Sequence, residues 1–416
     1  MYITLNFKKI AVQMFKCVFL YLYVYDIAMN DLSTLFSTKK IVFFLLAIFV
    51  FFFKSKEMKL VSKLKYSRDV ISLVFLICVV LVYSILISLI QNAQGVSIIA
   101  YLIFFILYVP IGVLLFSCIF NDSFEFCNIF ILSSLIPAVL IFVQQTSEEF
   151  RVFLDRFFLA DENIAYLRND RAAIPGASGA TLTVWMFLAM FACAYLILLD
   201  SKKKRLLKYF ICFMFFLCAS VLSGSTGTLA GGALLIFLLF LMLKNKKIGR
   251  FGLYGVFLIV LVSIVISVFQ DIFSIGKMER IYDRIFSVFE SGVEQVTVSN
   301  LFAMKVPELN FNTVLGTGIV RGTMDELSCF HDSGYVQAYF ALGLIVSVVF
   351  YFVVYSTLIK GVVPNNGRIE KWLMCFLIAV LFVIEIKEPF CLKYNAVFFA
   401  MLINLLSEKE RVRENS

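Results

Sequence analysis

Five stretches of this chain, residues 70–90, 97–120, 180–199, 251–270 and 335–359, contain no Asp, Glu, Lys or Arg. About 20 consecutive apolar residues are enough to cross the hydrocarbon core of a bilayer as a helix. A soluble domain has no place for five such segments, so the pattern predicts a polytopic membrane protein. Less clean apolar runs lie at 10–29, interrupted by Lys16 and Asp26, and at 38–53, 127–143, 209–222, 229–243, 372–388 and 389–406. The expected fold is therefore all-α, with about twelve transmembrane helices. Composition agrees: 62% of the 416 residues are hydrophobic and 16% charged, against about 25% charged in soluble domains. Mean hydropathy is +0.95.

The single His, His331, excludes the multi-histidine sites on which many zinc and non-haem iron enzymes depend. The ten Cys form no CxxC. Seven of them (Cys17, Cys78, Cys118, Cys193, Cys212, Cys218 and Cys375) sit within apolar runs, which reads as small-residue packing rather than a disulfide scaffold. Cys329 lies in a long polar loop, and the 48 Phe read as lipid-facing bulk. Lys8 and Lys9 precede the first apolar run without a small-residue cleavage site, the pattern of an uncleaved signal anchor.

Sidedness follows from the basic residues, which short cytoplasmic loops retain in excess. With twelve spans and both termini on one side, the segments KSKEMKLVSKLKYSRD, DSKKKRLLK, KNKKIGR and KGVVPNNGRIEK and the two tails fall together. They hold 23 of the 37 basic residues. That side is expected to be cytoplasmic, with Lys39 and Lys40 as the exception. The net charge of +9 is thus a topology signal and not a sign of nucleic-acid binding. Two long loops, 144–179 and 271–334, are then extracytoplasmic within one integral membrane domain, and polar function concentrates in such loops.

The two loops hold seven Arg and two Lys, whereas the inner segments hold seventeen Lys and six Arg. Guanidinium presents a planar fork of donors that suits phosphate or carboxylate, and ammonium acts as a hydrated point charge. Pairing with the fifteen acids of the same loops is the competing reading. In the first loop, Arg168 and Arg171 precede Pro175, Gly176 and Gly179, a turn that opens either an anion nest at a helix start near Ala180 or an ordinary membrane entry. In the second loop, Met278, Ile281, Ile285 and Phe289 form one helical stripe opposite Arg280, Asp283, Arg284 and Ser287. This predicts a helix lying on the membrane surface.

The second loop continues through Gly316 and Gly318 to Arg321, then to His331 and Asp332 where the chain re-enters the membrane. Imidazole titrates near neutrality, and a desolvated carboxylate is raised toward it, so either residue is a candidate general base. The structural alternatives are a hydrogen-bonded His and an N-capping Asp. Gly227 and Gly231 have helix-packing spacing. Glu385 and Glu388 are weaker candidates, as intramembrane acids or as members of a shallow polar hairpin at Pro389.

Together these pieces resemble the Wzy-type polymerases of O-antigen and capsular polysaccharide repeat units, which are similar in architecture to the O-antigen ligases. The resemblance rests on the span-and-loop plan, Arg168-x10-Gly179, LSGSTG (222–227), VLGTG (314–318) and DSGY-x7-G from Asp332 to Gly343. The second Arg-x10-Gly of the polymerases is replaced by Lys305-x10-Gly316. Asp332, not His331, stands at the position of the ligase His.

The resemblance implies a GT-C-like fold in the bacterial cytoplasmic membrane. It also implies a glycosyltransferase that joins undecaprenyl-pyrophosphate-linked oligosaccharides without cofactor or metal. Asp332 would be the base, with His331 second to it. Arg168, Arg171, Arg321, Arg280 and Arg284 would bind pyrophosphate, and Gly176, Gly179, Gly316 and Gly318 would form backbone turns. A flippase and a chain-length regulator are the implied partners, besides membrane lipids. The alternatives are an O-antigen ligase, a lipid-linked oligosaccharide flippase, and a structural or signalling membrane protein.

Overall fold

A computed structural model describes residues 7–27, 37–91, 94–157, 173–174, 177–199, 205–224, 226–244, 303–324, 327–362, 367–393 and 396–414. In chain order the elements begin with α1 (Phe7–Tyr25), α2 (Thr38–Phe53), α3 (Ser55–Lys63), α4 (Lys65–Ile90), β1 (Gln94–Ser97) and α5 (Ile98–Ser117). There follow α6 (Ser123–Thr146), α7 (Glu148–Phe157), β2 (Ala173–Ile174), β3 (Ala177–Ser178), α8 (Gly179–Leu199), α9 (Leu206–Ser223) and α10 (Thr226–Lys244). The chain closes with α11 (Phe311–Leu315), β4 (Ile319–Met324), β5 (Leu327–Cys329), α12 (Gly334–Leu342), α13 (Leu344–Val362), α14 (Arg368–Ile384) and α15 (Val397–Glu414).

The protein is mostly helical and membrane-embedded. Among the described residues, six helices are long and apolar enough to cross a bilayer: α4, α5, α6, α8, α9 and α13. The runs at 10–29, 38–53 and 229–243 appear as α1, α2 and α10, and the closing pair as α14 and α15. The charge-free stretch 251–270 and the amphipathic stretch around 278–289 lie outside the described residues. The structure adds to the helical plan a three-stranded antiparallel sheet in the order β1-β4-β5. It also breaks the expected span 335–359 in two, at Gly343 between α12 and α13.

The chain divides into two compact units, 1–45 with 124–292 and 46–123 with 293–416. In the first, α8 is the central helix, with every residue from 182 to 197 at most 4% exposed. Small residues allow this. Gly227 and Gly231 of α10 face α8, where a side chain on Gly227 would strike the carbonyl of Thr183 and one on Gly231 the thioether of Met190. The Gly227 N–H donates to Thr183 Oγ1 at 3.1 Å. The GxxxG spacing is thus a packing surface. Lys16, a charge that interrupts the first apolar run, pairs with Glu125 of α6 at 2.6 Å. Asp26, the other, accepts the Lys39 N–H at 3.1 Å where α1 turns toward α2.

In the second unit one end is organised by α15. Glu408 accepts the N–H groups of Lys65 and Tyr66 at 3.0 and 2.9 Å, supplying a carboxylate to the amino end of α4. Its neighbour Lys409, fully buried, donates to the carbonyls of Ser117 and Phe120 at 2.6 and 2.9 Å, at the carboxyl end of α5. Adjacent residues of opposite charge therefore satisfy two helix ends of opposite polarity. Lys409 also meets Glu57 at 3.0 Å, and both Glu57 oxygens accept from Arg413 Nη2 at 2.8 and 2.7 Å.

Burial alone would raise the Glu57 carboxyl, but Lys409 and Arg413 outweigh it and hold it below the usual carboxylate range. A depressed acid adds stability above its unfolded pKa and loses it as pH falls through the folded value. Two outcomes are expected in thermal unfolding of the detergent-solubilised protein. Lys409→Ala, which leaves the carbonyls of Ser117 and Phe120 without their donor and Glu57 with Arg413 alone, costs about 3 kcal/mol. Glu57→Gln flattens the acid side of the stability profile, and an unchanged acid limb would contradict the assignment.

Candidate functional site

At the other end of the second unit, the motif VLGTG and the glycine that ends DSGY-x7-G form one junction. Gly316 and Gly343 take left-handed φ values of +97° and +83°, open to glycine at little cost. Their backbones touch: a Cβ on Gly316 would lie 2.6 Å from the Ala341 carbonyl, and one on Gly343 would strike the backbone of Val314 and Leu315. Gly318 is also left-handed, at +77°. Thr317 and Gly318 donate their N–H groups to the carbonyls of Phe340 and Ala341, both at 2.9 Å, and the Thr317 hydroxyl donates to Phe340 at the same distance. These bonds satisfy the carboxyl end of α12 where Gly343 interrupts the helix. The Ile98 N–H, opening α5, donates to the Gly318 carbonyl at 3.0 Å.

From this junction β4 carries Arg321 outward. Ile319, Cys329 and Phe340 pack beneath the sheet, so Cys329 serves as an apolar packing residue despite its polar loop. The chain returns through β5 to residues 330–333, and Asp332 forms an ion pair with Arg321, each side chain close to half exposed. His331 points the other way and is 5% exposed. Its Nδ1 accepts the Ser333 N–H at 3.0 Å, which for a neutral imidazole puts the proton on Nε2. Gln337 donates to the carbonyls of His331 and Asp332 at 2.9 and 3.1 Å and so fixes the backbone that presents both. Asp332 does not cap α12; the N-cap position is Ser333, without a side-chain bond.

Behind Asp332 lies the end of α14. The Gly334 N–H donates to the Glu385 carbonyl at 2.9 Å, and a side chain on Gly334 would collide with the Glu385 carboxylate and with Pro389. Glu385 is fully buried, with Tyr351 donating to its Oε1 at 2.7 Å and the Cys391 N–H to its Oε2 at 2.8 Å. The Tyr335 and Tyr355 hydroxyls donate to the carbonyls of Phe382 and Leu381 at 2.8 and 3.3 Å. Three tyrosines and one glycine thus bind the end of α14. Glu388, three residues on, lies in the electrostatic field of Lys387, Asp332, Lys393 and Arg321. The site is a half-exposed pair of opposite charges, with Glu388 within electrostatic range of both, at the end of an apolar bundle. It suits an anion that must be bound beside a group able to accept a proton.

Of the arginines expected to bind anions, Arg321 alone is among the described residues; Arg168, Arg171, Arg280 and Arg284 lie outside them, as does Gly176. Gly179 opens α8 in the first unit with φ +51°. Before it, β2 and β3 pair Ala173 with Ser178 and Ile174 with Ala177. Glu385, a weaker candidate from its sequence position, proves central to the fold of the site, together with Tyr335, Tyr351 and Gln337, to which no sequence motif assigns a role. An acid at the end of an apolar run, with two tyrosines at i and i+4 on the preceding helix, was the available signal. Compared with known protein families, curated proteins and solved structures, the chain matches none.

The Glu385 network makes a stability prediction. Glu385→Ala leaves two buried groups unpaired, the Tyr351 hydroxyl and the Cys391 N–H, whereas Tyr351→Phe leaves one, Glu385 Oε1, at about 1–3 kcal/mol for each orphaned group. Thermal unfolding should rank the two variants in that order, and equal melting would contradict the network.

Proposed function

We propose that this protein is a repeat-unit polymerase of the O-antigen or capsular type. It transfers a growing glycan from one undecaprenyl pyrophosphate onto a new lipid-linked repeat unit, at the outer face of a bacterial cytoplasmic membrane. The observation that carries the reading is the half-exposed Arg321–Asp332 pair at the end of a membrane-embedded bundle, opposite the end where the lysines of α3 gather. Under the positive-inside rule the lysine end is cytoplasmic and the pair is external.

The donor arrives already activated on lipid, so the chemistry asks the protein for two things. It must stabilise charge on a departing pyrophosphate, and it must accept a proton from the acceptor hydroxyl. A guanidinium meets phosphate oxygens bidentately and supplies the first without a metal. Asp332 supplies the second once Arg321 has turned to the phosphate, because the carboxylate oxygen that the guanidinium occupies is then free to meet the acceptor hydroxyl. His331, buried and already accepting a backbone N–H, acts on the loop and is the second choice as base. Gln337 holds the backbone of both residues in place.

The test is complementation of a deletion strain, scored by polymer ladders at matched protein levels. Asp332→Asn and Arg321→Gln should each lower polymerisation by 10²–10⁴-fold, roughly the range of a lost general base or charge-stabilising donor. The deletion strain should accumulate single lipid-linked repeat units. Normal ladders from both variants would overturn the site; absence of lipid-linked repeat units from the outer leaflet of the deletion strain would instead indicate a flippase.

A further inference from the structure

The segment joining α2 to α4 carries cations that the fold leaves unused. Lys56, Lys59 and Lys63 recur at i, i+3 and i+7 along α3 and are exposed, while Val61 and the following Leu64 are buried. One face of the helix is therefore packed and another is a stripe of ammonium groups, successive Cβ atoms about 5–6 Å apart. Lys65 and Arg68, on the first turn of α4, are exposed beside it. Among the described residues none of these five cations is ion-paired. The acids that could neutralise them are engaged elsewhere: Glu57 by Lys409 and Arg413, Asp69 by Lys360 at 3.9 Å, and Glu408 by the backbone of Lys65 and Tyr66.

The position of the stripe identifies what it meets. α2 ends in Phe51, Phe52 and Phe53, each at least 69% exposed, a surface suited only to hydrocarbon. α3 begins two residues later, and α4 descends again as an apolar helix of 26 residues. A helix held between two bilayer-facing segments lies at headgroup height. Met58, 48% exposed on another side of α3, adds an apolar contact at the same level.

We infer that α3 and the first turn of α4 form a binding surface for the headgroups of anionic phospholipids in the adjoining leaflet, with Lys56, Lys59 and Lys63 as the contacting stripe. This surface is independent of the Arg321–Asp332 site and of the activity assigned to it. Its role is to set the depth of the bundle in the membrane, with Lys409 and Arg413 holding α3 from behind through Glu57.

The full-length protein, purified and reconstituted in nanodiscs of mixed phosphatidylglycerol and phosphatidylcholine, provides the test by native mass spectrometry of retained lipid. The wild type should retain phosphatidylglycerol preferentially. The triple variant Lys56→Gln, Lys59→Gln, Lys63→Gln should lose that preference by roughly 5-fold per lysine, about 100-fold in all. The triple Lys→Arg variant should keep it, and high salt should abolish it in the wild type. Equal retention of the two lipids by the wild type would overturn the proposal, as would undiminished preference in the Gln variant or preference insensitive to salt. Displacement of the bound lipid by millimolar inorganic phosphate would also overturn it, by indicating a site for soluble anions.

Discussion

The break at Gly343 is the constraint on which the rest of the second unit depends. Inside a bilayer an interrupted helix exposes peptide groups that no water can satisfy, so non-helical backbone persists there only where protein covers it. Here the cover is VLGTG, whose Thr317 and Gly318 bond the last carbonyls of α12 while Gly316 and Gly343 touch backbone to backbone. That contact needs two residues without side chains, both in left-handed conformation. Once it is made, β4 leaves in a fixed direction and Arg321 comes to face Asp332.

The same loop is anchored from behind by the end of α14. Gly334 can approach Glu385 only because it lacks a side chain, and the buried carboxylate is tolerated because Tyr351 and the Cys391 N–H satisfy both of its oxygens. α12 is therefore clamped between two glycine contacts, one at each of its ends, and residues 331–333 lead into the first. This accounts for a DSGY-x7-G motif: its two glycines are the points where α12 meets other backbone, and its Asp is the group that the clamp presents. At the opposite end of the unit, Glu408 and Lys409 use the polarity of helix termini in place of glycine packing.

Much of the scaffold was legible in the chain. Charge-free runs of membrane length became α4, α5 and α8, and the weaker runs at 38–53 and 209–222 became α2 and α9 almost to their limits. The expected helix start near Ala180 is Gly179. The stretch 335–359 misled because hydropathy registers only the polarity of side chains; a glycine that ends one helix and begins another leaves an apolar run intact. The sheet escaped for a related reason, since β1 has four residues and pairs with a strand more than two hundred residues away.

The candidate site divides along the same line. Arg321, Asp332, Gly316 and Gly343 were each visible as residues, but not the pairing of Arg321 with Asp332 or the contact of Gly316 with Gly343. Neither was it visible that His331 is buried and Asp332 half-exposed. The sequence by itself determined the solvent this protein lives in, because transfer free energy is additive along a segment and needs no knowledge of neighbours. Only the tertiary structure decided which polar groups meet. A buried or ion-paired group is stable only when its partner arrives from elsewhere in the chain, and that arrival depends on backbone direction at a few glycines.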